Sequence, residues 1–123
     1  MERVGFITTE SGTDLIVSFA IPGEGLSEVK SLTLIRTPKY EFALPTREQG
    51  VSVSHDDFLD EDEEGFDVLK SVELDRSSVR IITQRREYTL DIQEVNPDEI
   101  RRAAEILHKM NFDQRFLLKL GPI

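Results

Sequence analysis

The feature that most constrains the fold of this chain is a succession of short apolar segments interrupted by turn-forming residues. In these segments β-branched and aromatic side chains alternate with polar ones, which is the period of a β-strand with one buried face. Glycine, proline, aspartate and serine separate the segments, and these residues favour turns. The predicted strands cover residues 4–9, 15–20, 31–36, 40–44, 50–54, 68–74, 79–83 and 88–92.

Short connections between consecutive strands favour an antiparallel meander over parallel β-α-β units. Segment 40–44 lies between Pro38 and Pro45. Because proline cannot donate to a strand ladder, we expect this segment to be a short edge strand. In segment 50–54 the two valines, Val51 and Val53, fall on one face of the predicted strand.

The period changes after Val95, and the change predicts a helix over residues 97–110. Asn96 is a suitable N-cap, Pro97 fits the first turn, and two acidic residues follow near the positive end of the helix dipole. The apolar positions fall on one stripe, so we expect the helix to lie on one face of the sheet. The stripe consists of Ile100, Ala103, Ala104, Leu107 and Met110.

Residues 112–123 are rich in apolar side chains and leave two conformations open, a last strand or a second short helix. We expect this tail to dock on the core, with a dimer contact through the tail as the alternative. The fold class is α+β in one domain, residues 1–123. We predict an antiparallel, curved sheet or open barrel of about six to eight strands, with the C-terminal amphipathic helix packed on it.

Composition narrows the functional classes. The chain has no cysteine, which excludes disulfides, thiolate metal sites and thiol nucleophiles. A secretory leader and a membrane span are not expected from this sequence, so we predict a cytoplasmic protein without a membrane partner. The formal net charge of −9 argues against a nucleic-acid partner and favours a basic one.

That charge is concentrated in one segment, residues 56–67, which holds eight acidic residues and no lysine or arginine. Residues 1–55 carry −2 and residues 68–123 carry +1, so the segment supplies −8 of the total. We interpret it as a solvated loop, which is either a plain connection or a docking site for a basic protein. The candidate partner-binding residues are Asp56, Asp57, Asp60, Glu61, Asp62, Glu63, Glu64 and Asp67.

The same segment matches a calcium loop only in part. Asp60, Asp62, Glu64 and Gly65 occupy the first positions of an EF-hand pattern, but the twelfth position is Ser71 instead of a bidentate carboxylate. Two histidines without cysteine give a poor zinc set. We therefore predict no specific metal site and no cofactor.

Catalytic residue types occur together only at Ser54-His55-Asp56. Adjacent strand residues point to opposite faces, so these three cannot form a relayed triad, and we expect His55 to lie on the surface at a strand end. The sequence thus predicts a protein that is not an enzyme. An enzyme using scattered carboxylates and His55 ranks behind the other interpretations.

Several stretches resemble a family of β-rich immunity proteins from bacterial polymorphic-toxin systems. The resemblance is carried by residues 32–36, 50–53, 70–76 and 90–92 and by the helix after Pro97, and this chain departs from the family in having no tryptophan. It implies a stoichiometric inhibitor that binds a toxin and performs no chemistry. The expected function is therefore non-catalytic protein binding, and the alternative is a module that binds a small molecule or a divalent cation.

Overall fold

The computed structural model of the chain describes residues 1–23, 28–57 and 67–123. These residues form a nine-stranded sheet and one α-helix. Strand bounds are β1 Glu2–Arg3, β2 Phe6–Ser11, β3 Leu15–Pro22, β4 Val29–Arg36, β5 Ser52–His55, β6 Asp67–Leu74, β7 Ser78–Thr83, β8 Glu87–Asp91 and β9 Leu117–Leu120. Helix α1 spans Pro97–Met110, and short 3₁₀ helices span Pro38–Ala43 and Thr46–Glu48.

Strands β2 to β8 pair antiparallel in chain order, as the short connections predicted. The predicted α+β class is confirmed: a mostly β sheet carries one helix packed on it, and the sheet does not close. Two short strands lie outside the meander and raise the number of strands above the prediction. They are β1, which is parallel to β8, and β9, which is parallel to β6.

The N-terminal segment supplies the strand at each end of the sheet order, β1 and β2. β1 pairs with β8 at one edge and β2 pairs with β3 at the other. Between them the Val4 backbone N–H donates to Asp91 O at 2.8 Å, and the Gly5 N–H donates to Ala20 O at 2.8 Å. A Cβ atom on Gly5 would lie 3.1 Å from Cγ of Pro22, so a small residue suits this crossing.

Strand β6 exchanges one neighbour for another along its length. Its first residues pair with β5, and residues 71–74 pair with β9 instead. The register against β7 shifts between Leu69 and Ser71, which marks a β-bulge. A bulge bends a strand and increases its local twist.

The predicted edge strand over 40–44 is wrong, because residues 40–43 belong to the 3₁₀ helix Pro38–Ala43 and Leu44 is its C-cap. The backbone bonds within it instead of joining a ladder: Tyr40 N–H donates to Thr37 O, and Leu44 N–H donates to Glu41 O. The turn directs Glu41 toward the buried Arg36 at the end of β4. The alternating pattern of residues 40–44 gives no indication of this Arg36–Glu41 ion pair.

Helix α1 has the predicted bounds. The side chain of Asn96 accepts a hydrogen bond from Asp98 N–H at 2.9 Å, and Pro97 occupies the first turn. All five residues of the predicted stripe are buried, together with Ile106. Glu99 Oε1 accepts the backbone N–H of Ile7 at 2.7 Å, which fixes the helix to β2.

The core lies between the inner face of the sheet and α1. It is built from alternate strand residues such as Phe19, Leu34 and Ile81. Phe116 is buried, and Leu118 and Ile123 pack against the core, so the tail docks as expected and β9 is its strand. No helix in the described part of the chain is long and apolar enough to cross a membrane.

Candidate functional site

The predicted partner-binding segment connects β5 to β6, and the structure describes three of its eight acidic residues. Asp56 and Asp57 follow β5, and Asp67 begins β6. The other five lie outside the described residues: Asp60, Glu61, Asp62, Glu63 and Glu64. The partial calcium pattern also falls there, except for Ser71, which lies within β6.

The start of the segment is tied to the beginning of β4. Asp56 Oδ2 accepts the backbone N–H of Ser31 at 3.0 Å, and Asp57 Oδ1 lies 2.9 Å from Lys30 Nζ. The hydrogen bond with Lys30 lowers the pKa of Asp57, and the same bond raises the pKa of Lys30. Both aspartates are exposed, so their negative charge remains at the surface.

The end of the segment is tied to the turn between β7 and β8. Asp67 is only 2% exposed. Its carboxylate accepts the Thr83 hydroxyl at 2.6 Å and the Arg85 backbone N–H at 3.2 Å, and it lies 4.0 Å from Arg86 Nη1. Asp67 therefore anchors the segment from within the fold, whereas Asp56 and Asp57 face solvent.

These contacts define one end of the sheet, which we call the acidic pole. It carries four acidic residues, Glu2, Glu28, Asp56 and Asp57. The charges of Glu2, Glu28 and Asp57 act on Lys30, and Asp56 accepts the backbone N–H of the neighbouring Ser31. A cavity of about 490 Å³ opens at this pole. Its lining mixes charged, aromatic and apolar side chains: Met1, Glu2, His55, Asp57, Arg86, Glu87, Tyr88, Thr89 and Leu90.

His55 is buried at the acidic pole, with 2% of its surface exposed, so the predicted surface position is wrong. The reason is the alternation of its strand: Val51, Val53 and His55 share the inner face. The imidazole is parallel to the Tyr88 ring, with 5.6 Å between their centroids. Its Nδ1 accepts the Asp57 backbone N–H at 3.0 Å, and its Nε2 lies 3.7 Å from Glu2 Oε1.

The opposite end of β4 holds a buried ionic network that the sequence did not identify. Arg36 is 2% exposed. Its guanidinium donates to Glu41, to both carboxylate oxygens of Asp113 at 2.8 Å, and to Met110 O at 2.6 Å. The last carbonyl groups of a helix lack partners within it and carry partial negative charge, so a cation is stabilising there. Arg36 thus joins β4, the first 3₁₀ helix and the end of α1.

Charge pairing sets the protonation states in this network. Burial acts to lower the pKa of Arg36, but hydrogen bonds to Asp113 and Glu41 outweigh it and raise that pKa. The hydrogen bond from Arg36 holds the pKa of Asp113 well below its usual range, with help from Arg115 and against the effect of burial. Arg36 and Asp113 therefore remain ionised at neutral pH, and their pair serves as a structural joint.

Exposed aromatic side chains border this network. The Phe112 ring lies under Arg36, with 4.3 Å from the guanidinium carbon to the ring centroid, and it is 61% exposed. Tyr40 and Phe42 of the first 3₁₀ helix are also exposed. Aromatic side chains are enriched in protein interfaces, so these three rings offer contact area at this end of the molecule.

Within residues 1–23, 28–57 and 67–123, no three histidine or acidic side chains are grouped as metal ligands. His108 is exposed on α1, far in sequence from the acidic residues around His55. Comparisons with protein-family models, with curated proteins and with solved structures found no match to the chain.

Proposed function

We propose that this chain is a non-catalytic protein-binding domain that docks on a basic partner through residues 56–67 and the acidic pole. In the immunity-type version of this function, the bound domain silences the partner by covering its working surface. Charge steers the encounter, and steric blockage follows. Among the described residues the candidates for contact are the exposed Asp56 and Asp57. The sequence adds Asp60, Glu61, Asp62, Glu63 and Glu64, which lie between them and Asp67 in the chain.

The observation that carries the proposal is the attachment of a strongly acidic segment at both ends to one pole. Lys30 and Ser31 hold its start, and Thr83 with the Arg85 backbone holds Asp67 at its end. The segment carries −8 while the rest of the chain is close to neutral. A local cluster of like charges raises association rates with an oppositely charged surface by about 10- to 1,000-fold at low salt.

The test uses a charge reversal in the segment and a matched reversal elsewhere. The segment variant is Asp60→Lys, Asp62→Lys, Glu64→Lys. The control reverses three exposed acidic residues on other surfaces, Glu10, Glu73 and Glu105. Each reversal adds two positive charges to the net −9, so both variants carry −3.

A partner is first captured from the native organism at low salt, identified by mass spectrometry and purified. Association rates are then measured at low and high salt. We expect the segment variant to associate at least about tenfold more slowly at low salt, and the control to stay close to the wild type. Equal losses in both variants would show that only overall charge matters. Binding that does not respond to salt would contradict docking through the segment.

A further inference from the structure

The contact between His55 and the first residues of the acidic segment depends on the protonation state of the imidazole. The backbone N–H of Asp57 donates to Nδ1 of His55 at 3.0 Å. An imidazole nitrogen accepts a hydrogen bond only when it carries no proton. In the structure Nδ1 is therefore the acceptor, and a neutral ring carries its proton on Nε2, which faces Glu2 at 3.7 Å.

We propose that His55 is a proton-operated switch at the root of the acidic segment, with the Asp57 N–H···Nδ1 bond as the element that opens. A second proton on the ring places an N–H group at Nδ1, directly opposite the N–H of Asp57. Two donors cannot share a hydrogen bond, so the turn through residues 55–57 has to rearrange. The Asp57 carboxylate, whose Oδ2 already lies 3.8 Å from Nδ1, is an acceptor close to the new proton.

The groups around His55 can stabilise the doubly protonated ring. Glu2 from β1 faces Nε2, the Asp57 carboxylate faces Nδ1, and Tyr88 from β8 offers a ring face to the imidazolium. Arg86 and Glu87 line the same cavity from the turn between β7 and β8. Lys30 of β4 competes with the imidazolium for Asp57, because its Nζ lies 2.9 Å from Asp57 Oδ1.

The rearrangement therefore extends beyond the ring. When the Asp57 carboxylate turns toward His55, its ion pair with Lys30 weakens. That pair is one of the two contacts that Asp56 and Asp57 make with β4. Acidification thus loosens the start of the segment while Asp67 holds its end. The switch is a property of the free protein and does not depend on the proposed partner binding.

The test is an NMR titration of isotope-labelled protein from about pH 8 to about pH 5, where histidine side chains change charge. At the upper end we expect a ¹⁵N–¹⁵N coupling across the hydrogen bond from Asp57 N to His55 Nδ1, and we expect it to vanish at the lower end. The Asp57 amide should shift with the same midpoint as the His55 ring. The His108 ring is the internal control, and its titration should leave the Asp57 amide unmoved.

Two variants separate a switch from a nearby charge effect. Glu2→Gln removes one carboxylate beside the ring, so the His55 midpoint should fall and the Asp57 amide midpoint should fall with it. His55→Asn keeps an acceptor near the Nδ1 position but cannot titrate, and its Asp57 amide should not respond over this range. A coupling that persists at the lower pH, or an Asp57 midpoint that does not follow His55, would overturn the proposal. The wild-type titration decides the matter if His55→Asn fails to fold.

Discussion

Arg36 lies inside the fold because all its N–H groups find oxygen acceptors there. Glu41, Asp113 and the Met110 carbonyl provide them. Burying a charge is costly, and the cost is offset only when the geometry is good and the remaining hydrogen-bonding groups are satisfied. No buried side-chain nitrogen or oxygen in the described part of the chain lacks a partner, and this arginine meets that condition.

We expect Arg36→Leu to lower the free energy of unfolding by about 3–5 kcal/mol, because it leaves Glu41 and Asp113 without their counter-charge. The matched control is Arg115→Leu, which removes a more exposed ion-pair partner from the same Asp113. Its cost should be about 1 kcal/mol or less. Urea unfolding measures both. Similar losses in the two variants would show that Arg36 has no special role as a joint.

Asp113 predicts how stability responds to acid. Its pKa in the folded protein is lower than in the unfolded chain, chiefly because of the hydrogen bond from Arg36. The unfolded chain then binds more protons in this range, so the contribution of Asp113 is fully present above its unfolded pKa of about 3.9 and is lost as pH falls below it. Melting temperatures measured from neutral to acidic pH should show a flatter acid limb for Asp113→Asn. An unchanged acid limb would contradict the assignment.

The alternation of the two strands could have predicted that Arg36 and His55 point inward. It could not have predicted that they are buried. Arg36 continues the alternation of Leu32 and Leu34, and His55 continues that of Val51 and Val53. Alternation alone places both side chains on the inner face. Whether a charged or polar side chain stays there depends on its partners, and Asp113 and Tyr88 are distant in the chain from the residues that they contact.

At the scale of elements, the helix was predictable to its ends because its signals are local. Asn96, Pro97 and the apolar stripe act within a few turns. The conformation of segment 40–44 was not predictable in this way. Its 3₁₀ turn is accompanied by the pairing of Glu41 with Arg36 at the end of β4, which the segment's own pattern does not indicate. The tail was ambiguous for a related reason: β9 pairs with β6, which is far away in sequence.

The N-cap gives the prediction that belongs to the helix. Asn96→Ala removes the side-chain oxygen that accepts Asp98 N–H, and we expect a loss of about 1 kcal/mol in the free energy of unfolding. Asn96→Asp keeps an acceptor and adds a charge that suits the helix N-terminus, so it should be close to neutral. Chemical denaturation of the two variants checks this. A loss in Asn96→Asp equal to that in Asn96→Ala would contradict the capping role.

For the whole molecule, the important property is the uneven distribution of charge. The charges counted along the sequence place it in residues 56–67. The structure adds the contacts of Asp56, Asp57 and Asp67 that hold the two ends of this segment. These contacts bring the ends of a strongly acidic segment to one pole, so folding works against repulsion among like charges. Salt weakens such repulsion, which stabilises the fold. It also weakens exposed ion pairs such as Lys30–Asp57, which destabilises the fold.

We expect the repulsion to outweigh the pairs, so the melting temperature of the wild type should rise between about 0.05 and about 0.5 M sodium chloride. Asp60→Asn, Asp62→Asn, Glu64→Gln should reduce this rise, because three of the eight charges in the segment are gone. The matched variant Glu10→Gln, Glu73→Gln, Glu105→Gln has the same net charge and should keep most of the rise. Thermal unfolding of all three proteins decides between them. If the matched variant loses the rise as fully as the segment variant, the salt response belongs to total charge, and the concentration of charge at the acidic pole has no effect on stability.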